Sequence, residues 1–102
     1  MKFTTSTIIV SILAASTQAW ELTVWMTDGR HVTSHGTKNS GCVTYDFAMT
    51  RAVNKAEFKD SLLADTFELY TQEKCGGKVS YRSGEGSHAV TPARTIKSYK
   101  VY

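Results

Sequence analysis

The chain is poor in the features that usually announce a function. It has one proline, two cysteines and no Asn-x-Ser/Thr sequon, since Asn39 is followed by Ser-Gly and Asn54 by Lys-Ala, so N-glycosylation is not expected. Its longest apolar stretch is about half the roughly 20 residues needed to span a bilayer, leaving at most peripheral membrane contact. There is no Gly-x-Ser-x-Gly, no His-Glu-x-x-His and no phosphate-binding loop, so the short signatures of hydrolases, zinc peptidases and nucleotide-binding enzymes are missing. With 12 basic against 9 acidic side chains the formal charge is only +3, too little to argue for nucleic acid. A length of 102 residues gives one small domain and excludes multidomain enzymes and large cofactor folds.

What is present points to a small folded domain behind a secretory leader. The composition is 41% hydrophobic and 21% charged, enough apolar material to pack. Lys2, the apolar run Ile8, Ile9, Val10, Ile12, Leu13, Ala14 and Ala15, and Thr17-Gln18-Ala19 read as a signal peptide over residues 1–19. The secreted domain is then 20–102, with net charge +2 once Lys2 is removed. Its basic excess gathers near the C-terminus, where Arg82, Arg94, Lys97 and Lys100 outnumber Glu85; a face kept in water explains it, or weak attraction to an anionic wall or membrane surface.

Cys42 and Cys75 form an isolated pair in an oxidising route, and one disulfide is expected. It closes a loop of about 34 residues, worth roughly 3.8 kcal/mol by the chain-entropy account. Zinc is disfavoured because His31, His35 and His88 lack ligand spacing to either cysteine; no cofactor is expected.

Periodicity along the domain favours strands. Leu22, Val24 and Met26 alternate with Thr23, Trp25 and Thr27, and Asp28-Gly29 predicts a two-residue hairpin turn leading to Val32. Val43, Tyr45 and Phe47 alternate after the loop 36–41. Residues 48–60 fit either a helical turn or a short bulged strand. The second half repeats the first: Phe67, Leu69 and Tyr70 follow Leu22, Val24 and Trp25 at an offset of 45, and Ile96, Tyr99 and Val101 follow Val53, Ala56 and Phe58 at 43. Val79 and Tyr81 resume the alternation, 83–87 is a loop, and Pro92 precedes the last strand. One repeat cannot bury its own apolar face, so the expectation is an all-β fold of two repeats packed as a single β-sandwich with one interior disulfide.

The run 67–78 (Phe-Glu-Leu-Tyr-Thr-Gln-Glu-Lys-Cys-Gly-Gly-Lys), followed by Ser98-Tyr99-Lys100-Val101, resembles the βγ-crystallin-type Greek-key motif. Gly77 stands at the glycine of the folded hairpin and Cys75 where the family often has an aromatic ring. The match is good over 67–101 and loose over 22–58. It implies two Greek-key repeats, and among similar proteins the small secreted fungal and killer-toxin-like ones are nearest in size. Neither 28–33 nor 83–88 carries the paired Asn/Asp and hydroxyl pattern of calcium-binding members, so calcium is not expected.

No catalytic constellation stands out. His31, His35 and His88, with Asp28, Asp46 or Glu85, are the candidates for a small hydrolase, but solvent-facing histidines explain them more simply, and solubility explains Glu68 and Glu73. The expected binding surface joins Trp25, His31, His35 and Tyr70 with Arg94, Lys97 and Lys100. Trp25 and Tyr70 hold matching repeat positions out of phase with the core face; they serve either as core or edge cover or as exposed rings, which near positive charge would suit a carbohydrate or polyanionic partner. The expectation is a monomeric, non-enzymatic secreted protein that resembles fungal effectors and binds a host or cell-surface protein or carbohydrate. An antimicrobial killer-toxin-like protein and a small secreted hydrolase are the alternatives.

Overall fold

The structure, a computed structural model, describes residues 19–102 apart from residue 48. The expected signal peptide, apart from Ala19, lies outside the described residues. Alternation of apolar and polar side chains lets each strand bury one face and wet the other. β1 (Trp20–Met26) is the plainest case, burying Trp20, Leu22, Val24 and Met26. β2 (His31–Gly36), β3 (Gly41–Thr44) and β4 (Val53–Lys59) follow, then β5 (Phe67–Tyr70), β6 (Tyr81–Ser83), β7 (Gly86–Arg94) and β8 (Ser98–Val101).

These strands make two four-stranded antiparallel sheets, in the orders β2-β1-β4-β7 and β3-β8-β5-β6. Adding four to each strand number, and counting on from β8 to β1, converts the first order into the reverse relation of the second: β1, β2, β4 and β7 take the places of β5, β6, β8 and β3. The ladders correspond residue by residue. Leu22, Val24 and Trp25 pair with Phe58, Ala56 and Lys55, while Phe67, Leu69 and Tyr70 pair with Val101, Tyr99 and Ser98, the same offsets of 45 and 43 found in the sequence. Gly41 and Gly86 open β3 and β7, both at positive φ (63° and 122°), where a residue with a Cβ is strained.

The core lies between the sheets, with Leu22, Val24, Val53 and Phe58 facing Phe67, Leu69, Ile96 and Val101. Phe58 and Phe67 pack with ring centroids 5.2 Å apart, and the Trp20 edge meets Tyr99 at 6.4 Å, within the range of favourable aromatic geometry.

The two sheets differ on their outer faces. The β1–β2 connection is only residues 27–30, whereas β5 and β6 are joined by ten residues, 71–80, containing a single 3-10 turn, Glu73–Cys75. That segment folds over the second sheet. The Lys74 amide donates to Thr44 Oγ1 at 2.9 Å, the Cys75 amide donates to Ser98 Oγ at 2.9 Å, and Ser98 Oγ donates to the Gln72 carbonyl. Ser98 and Tyr70 are buried as a result, although both belong to the outer face. The Cys42–Cys75 disulfide staples this cover to β3. The pairing is the expected one, but the bond is not interior: Cys42 is exposed and Cys75 half-buried, because the cover lies outside the sheet.

Other local expectations change for identifiable reasons. Residues 53–59 are strand, with a register break between Val53 and Lys55, since an outer and an inner sheet neighbour reward alternation over a helical turn. The first hairpin turns over Thr27-Asp28-Gly29, with Gly29 at φ 91° and the Met26 amide donating to the Arg30 carbonyl at 2.8 Å, one residue longer than a two-residue turn. Pro92 lies inside β7, at a sheet edge where its missing N–H breaks no ladder.

Candidate functional site

Among the described residues no segment covers the outer face of the first sheet. Because side chains alternate, it carries Glu21, Thr23 and Trp25 from β1, His31, Thr33 and His35 from β2, and Lys55, Glu57 and Lys59 from β4. Trp25 is its centre. The indole Nε1 donates to Glu57 Oε1 at 2.7 Å, the His31 ring lies 4.4 Å away at 36°, and Lys55 Nζ sits 5.4 Å from the ring centroid, a cation–π contact. Beside it, Thr23 and Thr33 share a hydroxyl hydrogen bond of 2.8 Å. A shallow groove of about 440 Å³ continues toward the opposite end, lined by Glu21, Thr23, Glu57, Lys59, Glu85 and Ser87. At its far rim the Asp60 carboxyl is pushed up by its hydrogen bond with Glu85, which is itself held low by the same bond. Three carboxylates, Glu21, Glu57 and Glu85, against the one ammonium group of Lys59 make this groove, with its hydroxyls, a poor site for a polyanion and a good one for an uncharged polyhydroxy ligand.

The structure divides the expected binding set. Trp25, His31 and His35 share this face. Tyr70 does not join them: it is buried beneath the cover of the second sheet, at 7% exposure, so of its two expected roles it takes that of a covered ring and drops out of the binding set. Lys100 is on the second sheet's outer face, opposite Cys42 and Glu68, with its Nζ 5.6 Å from the Tyr102 ring centroid. Arg94 ends β7 and donates to the Ser80 carbonyl at 2.8 Å. Lys97 lies between β7 and β8, at a cleft of about 370 Å³ lined by Tyr45, Phe47, Met49, Ile96 and Glu73. No continuous basic patch joins these three to Trp25, because the fold distributes them over different sides.

His88 is a correction of another kind. It is not solvent-facing but half-buried, 5.9 Å from Phe67 and 6.4 Å from Tyr81 by ring centroids. Its Nε2 meets the Gly84 carbonyl at 2.8 Å, with Ser83 Oγ 3.4 Å from Nδ1. A backbone carbonyl, where a nucleophile's base needs a carboxylate, orients this ring.

Two buried polar groups were not legible in advance. Glu68, 4% exposed, accepts hydrogen bonds from the Tyr70 and Tyr102 hydroxyls and from Arg82, whose Nε lies 2.8 Å away. Burial pushes its carboxyl up, but the bonds from Tyr102, Tyr70 and Arg82 outweigh it and hold the group below its usual range. Glu68 is therefore committed internally and is no partner for Glu73. The Tyr45 hydroxyl is buried without a hydrogen-bond partner, and burial pushes its phenol up. Lys55 and Glu57 were missed because 48–60 was open between helix and strand; reading it as strand would have placed both outward.

Among the described residues no group of three or more His, Cys, Asp or Glu side chains is arranged to hold a metal ion. No protein-family model, curated protein or solved structure matches the chain.

Proposed function

We propose that this chain is a secreted, non-enzymatic binding module of βγ-crystallin-like double Greek-key type. Its open sheet face, centred on Trp25, takes an uncharged glycan of a host or competitor cell surface. The Greek-key reading is supported by the strand orders, in which β3 and β7 each lie in the sheet of the other four-strand unit, and by the matching ladder offsets. The effector-like role rests on the resemblance of residues 67–101 and on the leader sequence.

One observation carries the binding reading. Residues 72–75 cover the Tyr70–Ser98 end of the second sheet's outer face, while among the described residues nothing covers the equivalent end of the first sheet, which holds a partly exposed indole fixed by Glu57 and flanked by His31 and Lys55. A ring held at one angle loses little freedom on binding, and the hydroxyl and carboxylate groups beside it suit sugar hydroxyls. Arg94, Lys97 and Lys100 are separated from this face, which weighs against a polyanion and against the killer-toxin-like alternative acting through a basic patch.

The test is co-sedimentation with chitin, β-glucan and cellulose, and titration with their soluble oligomers followed by tryptophan fluorescence. One of these neutral polysaccharides is expected to bind, and Trp25→Ala to weaken it by about tenfold or more, as for a central aromatic anchor, with the fold intact. Binding unaffected by Trp25→Ala, or no binding to any neutral glycan, overturns the reading.

A further inference from the structure

We infer that β2 is a dimerisation edge: two copies join antiparallel through His31–His35, centred on Thr33, and fuse their first sheets into one eight-stranded sheet. This replaces the monomer expected from the sequence and does not depend on what the open face binds.

The inference starts from the hydrogen-bond phase of β2. The Met26 amide donates to the Arg30 carbonyl, and with the register Val24↔Val32 and Leu22↔Ser34 every second residue of β2 is turned to β1. His31, Thr33 and His35 therefore point their N–H and C=O groups away from β1. β2 is terminal in its sheet, so three donors and three acceptors line a free edge about 14 Å long.

Exposed edges are normally blunted by bulges, proline, lysine or shortness. The other three edges follow that rule. β7 carries Pro92 and a register break, β6 has three residues, and β3 has four and is stapled at Cys42. β2 has six residues, no proline, no lysine and an unbroken register with β1. Among the described residues it is the one long edge left without such a device.

Its sequence selects the occupant. His31-Val32-Thr33-Ser34-His35 is nearly palindromic about Thr33, and a two-fold interface requires that self-complementarity. Centring two strands on Thr33 sets Thr33 against Thr33 and His31 against His35 twice. All three outward residues then form closely hydrogen-bonded pairs, with two main-chain bonds in each. Val32 meets Ser34 on the inner side. The join leaves both Trp25 faces on the same side of the continuous sheet, so one dimer presents two such faces at once.

Sedimentation equilibrium of the purified, oxidised protein tests this, together with hydrogen exchange of the amides. The dimer mass is expected at roughly 100 µM and the monomer mass on dilution, with the amides of His31, Thr33 and His35 protected about tenfold or more only where the dimer forms. Thr33→Pro removes an outward N–H that β1 does not use, and Thr33→Lys adds a charge to the edge; both should give monomer. Thr33→Lys decides if the proline variant does not fold. Monomer mass at every concentration, or a dimer whose mass and exchange pattern both variants leave unchanged, overturns the inference.

Discussion

Replacing Glu68 should cost this small domain a substantial share of its stability, with a pH signature of its own. The carboxylate is buried, with its side chain 6% exposed, while its partner Arg82 is 58% exposed. In Glu68→Ala the Arg82 head returns to water, but the Tyr70 hydroxyl, in a residue 7% exposed, loses its acceptor without gaining solvent. A buried hydrogen bond to a charged group, with the orphan it leaves, is worth about 2–3 kcal/mol. For a domain of this size that lowers the melting temperature by roughly 10–20 °C. Glu68→Gln keeps the shape and one acceptor and should lose about half as much.

The pH dependence follows from the sign of the shifts. Glu68 is held below its ordinary range, so its contribution is present above the unfolded carboxyl value and is lost as pH falls through the folded value. Denaturant unfolding of wild type and Glu68→Ala should therefore differ most near neutrality, and the gap should narrow as pH falls below the ordinary carboxyl range. At the alkaline side, the hydrogen bond to Glu68 and burial push Tyr70 up to about 12. Its contribution is full below the unfolded phenol value and is lost as pH rises through that higher one. Phenolate absorbance should show Tyr70 titrating late in wild type and earlier in Glu68→Ala, where burial alone still holds the phenol up. Equal unfolding midpoints for wild type and Glu68→Ala at neutral pH, or a gap that does not narrow in acid, would refute the reasoning.

Two further outcomes are expected. The double variant Cys42→Ser, Cys75→Ser should lose about 4 kcal/mol in denaturant unfolding, from the loop it frees, and the Cys75 amide, which bonds Ser98, should exchange faster; an unchanged midpoint would show that the staple contributes nothing. Leu62 and Leu63 stand 94% and 66% exposed at a turn where the Ser61 amide donates to the Ala64 carbonyl. Replacing both with serine should shift stability by no more than about 0.5 kcal/mol, and a larger loss in thermal melting would mean that the turn packs against something.

Residues 22–26 announced themselves by period-two alternation, because a half-buried strand cannot be built otherwise, residues 67–70 by their match to the first repeat although both of their faces are buried, and the internal offsets of 45 and 43 reappear in the ladders. Residues 48–60 were open because Val53, Ala56 and Phe58 satisfy two periods at once, and only neighbouring strands on both sides decide between them. The site was half legible for a related reason. His31 and His35 were placed with Trp25 by local alternation, whereas Lys55 and Glu57 reach the same face from a strand distant in sequence.

By itself, then, the sequence determined the strand pattern, the repeat offsets and the cysteine pair, since alternation and thiol count are local properties. Tertiary structure decided which outward residues meet water. Trp25 and Tyr70 occupy matching ladder positions, yet a ten-residue connection folds over Tyr70 and a four-residue turn leaves Trp25 uncovered. Exposure depends on what the rest of the chain lays across a face, and that is a property of the packed sheets and not of either strand.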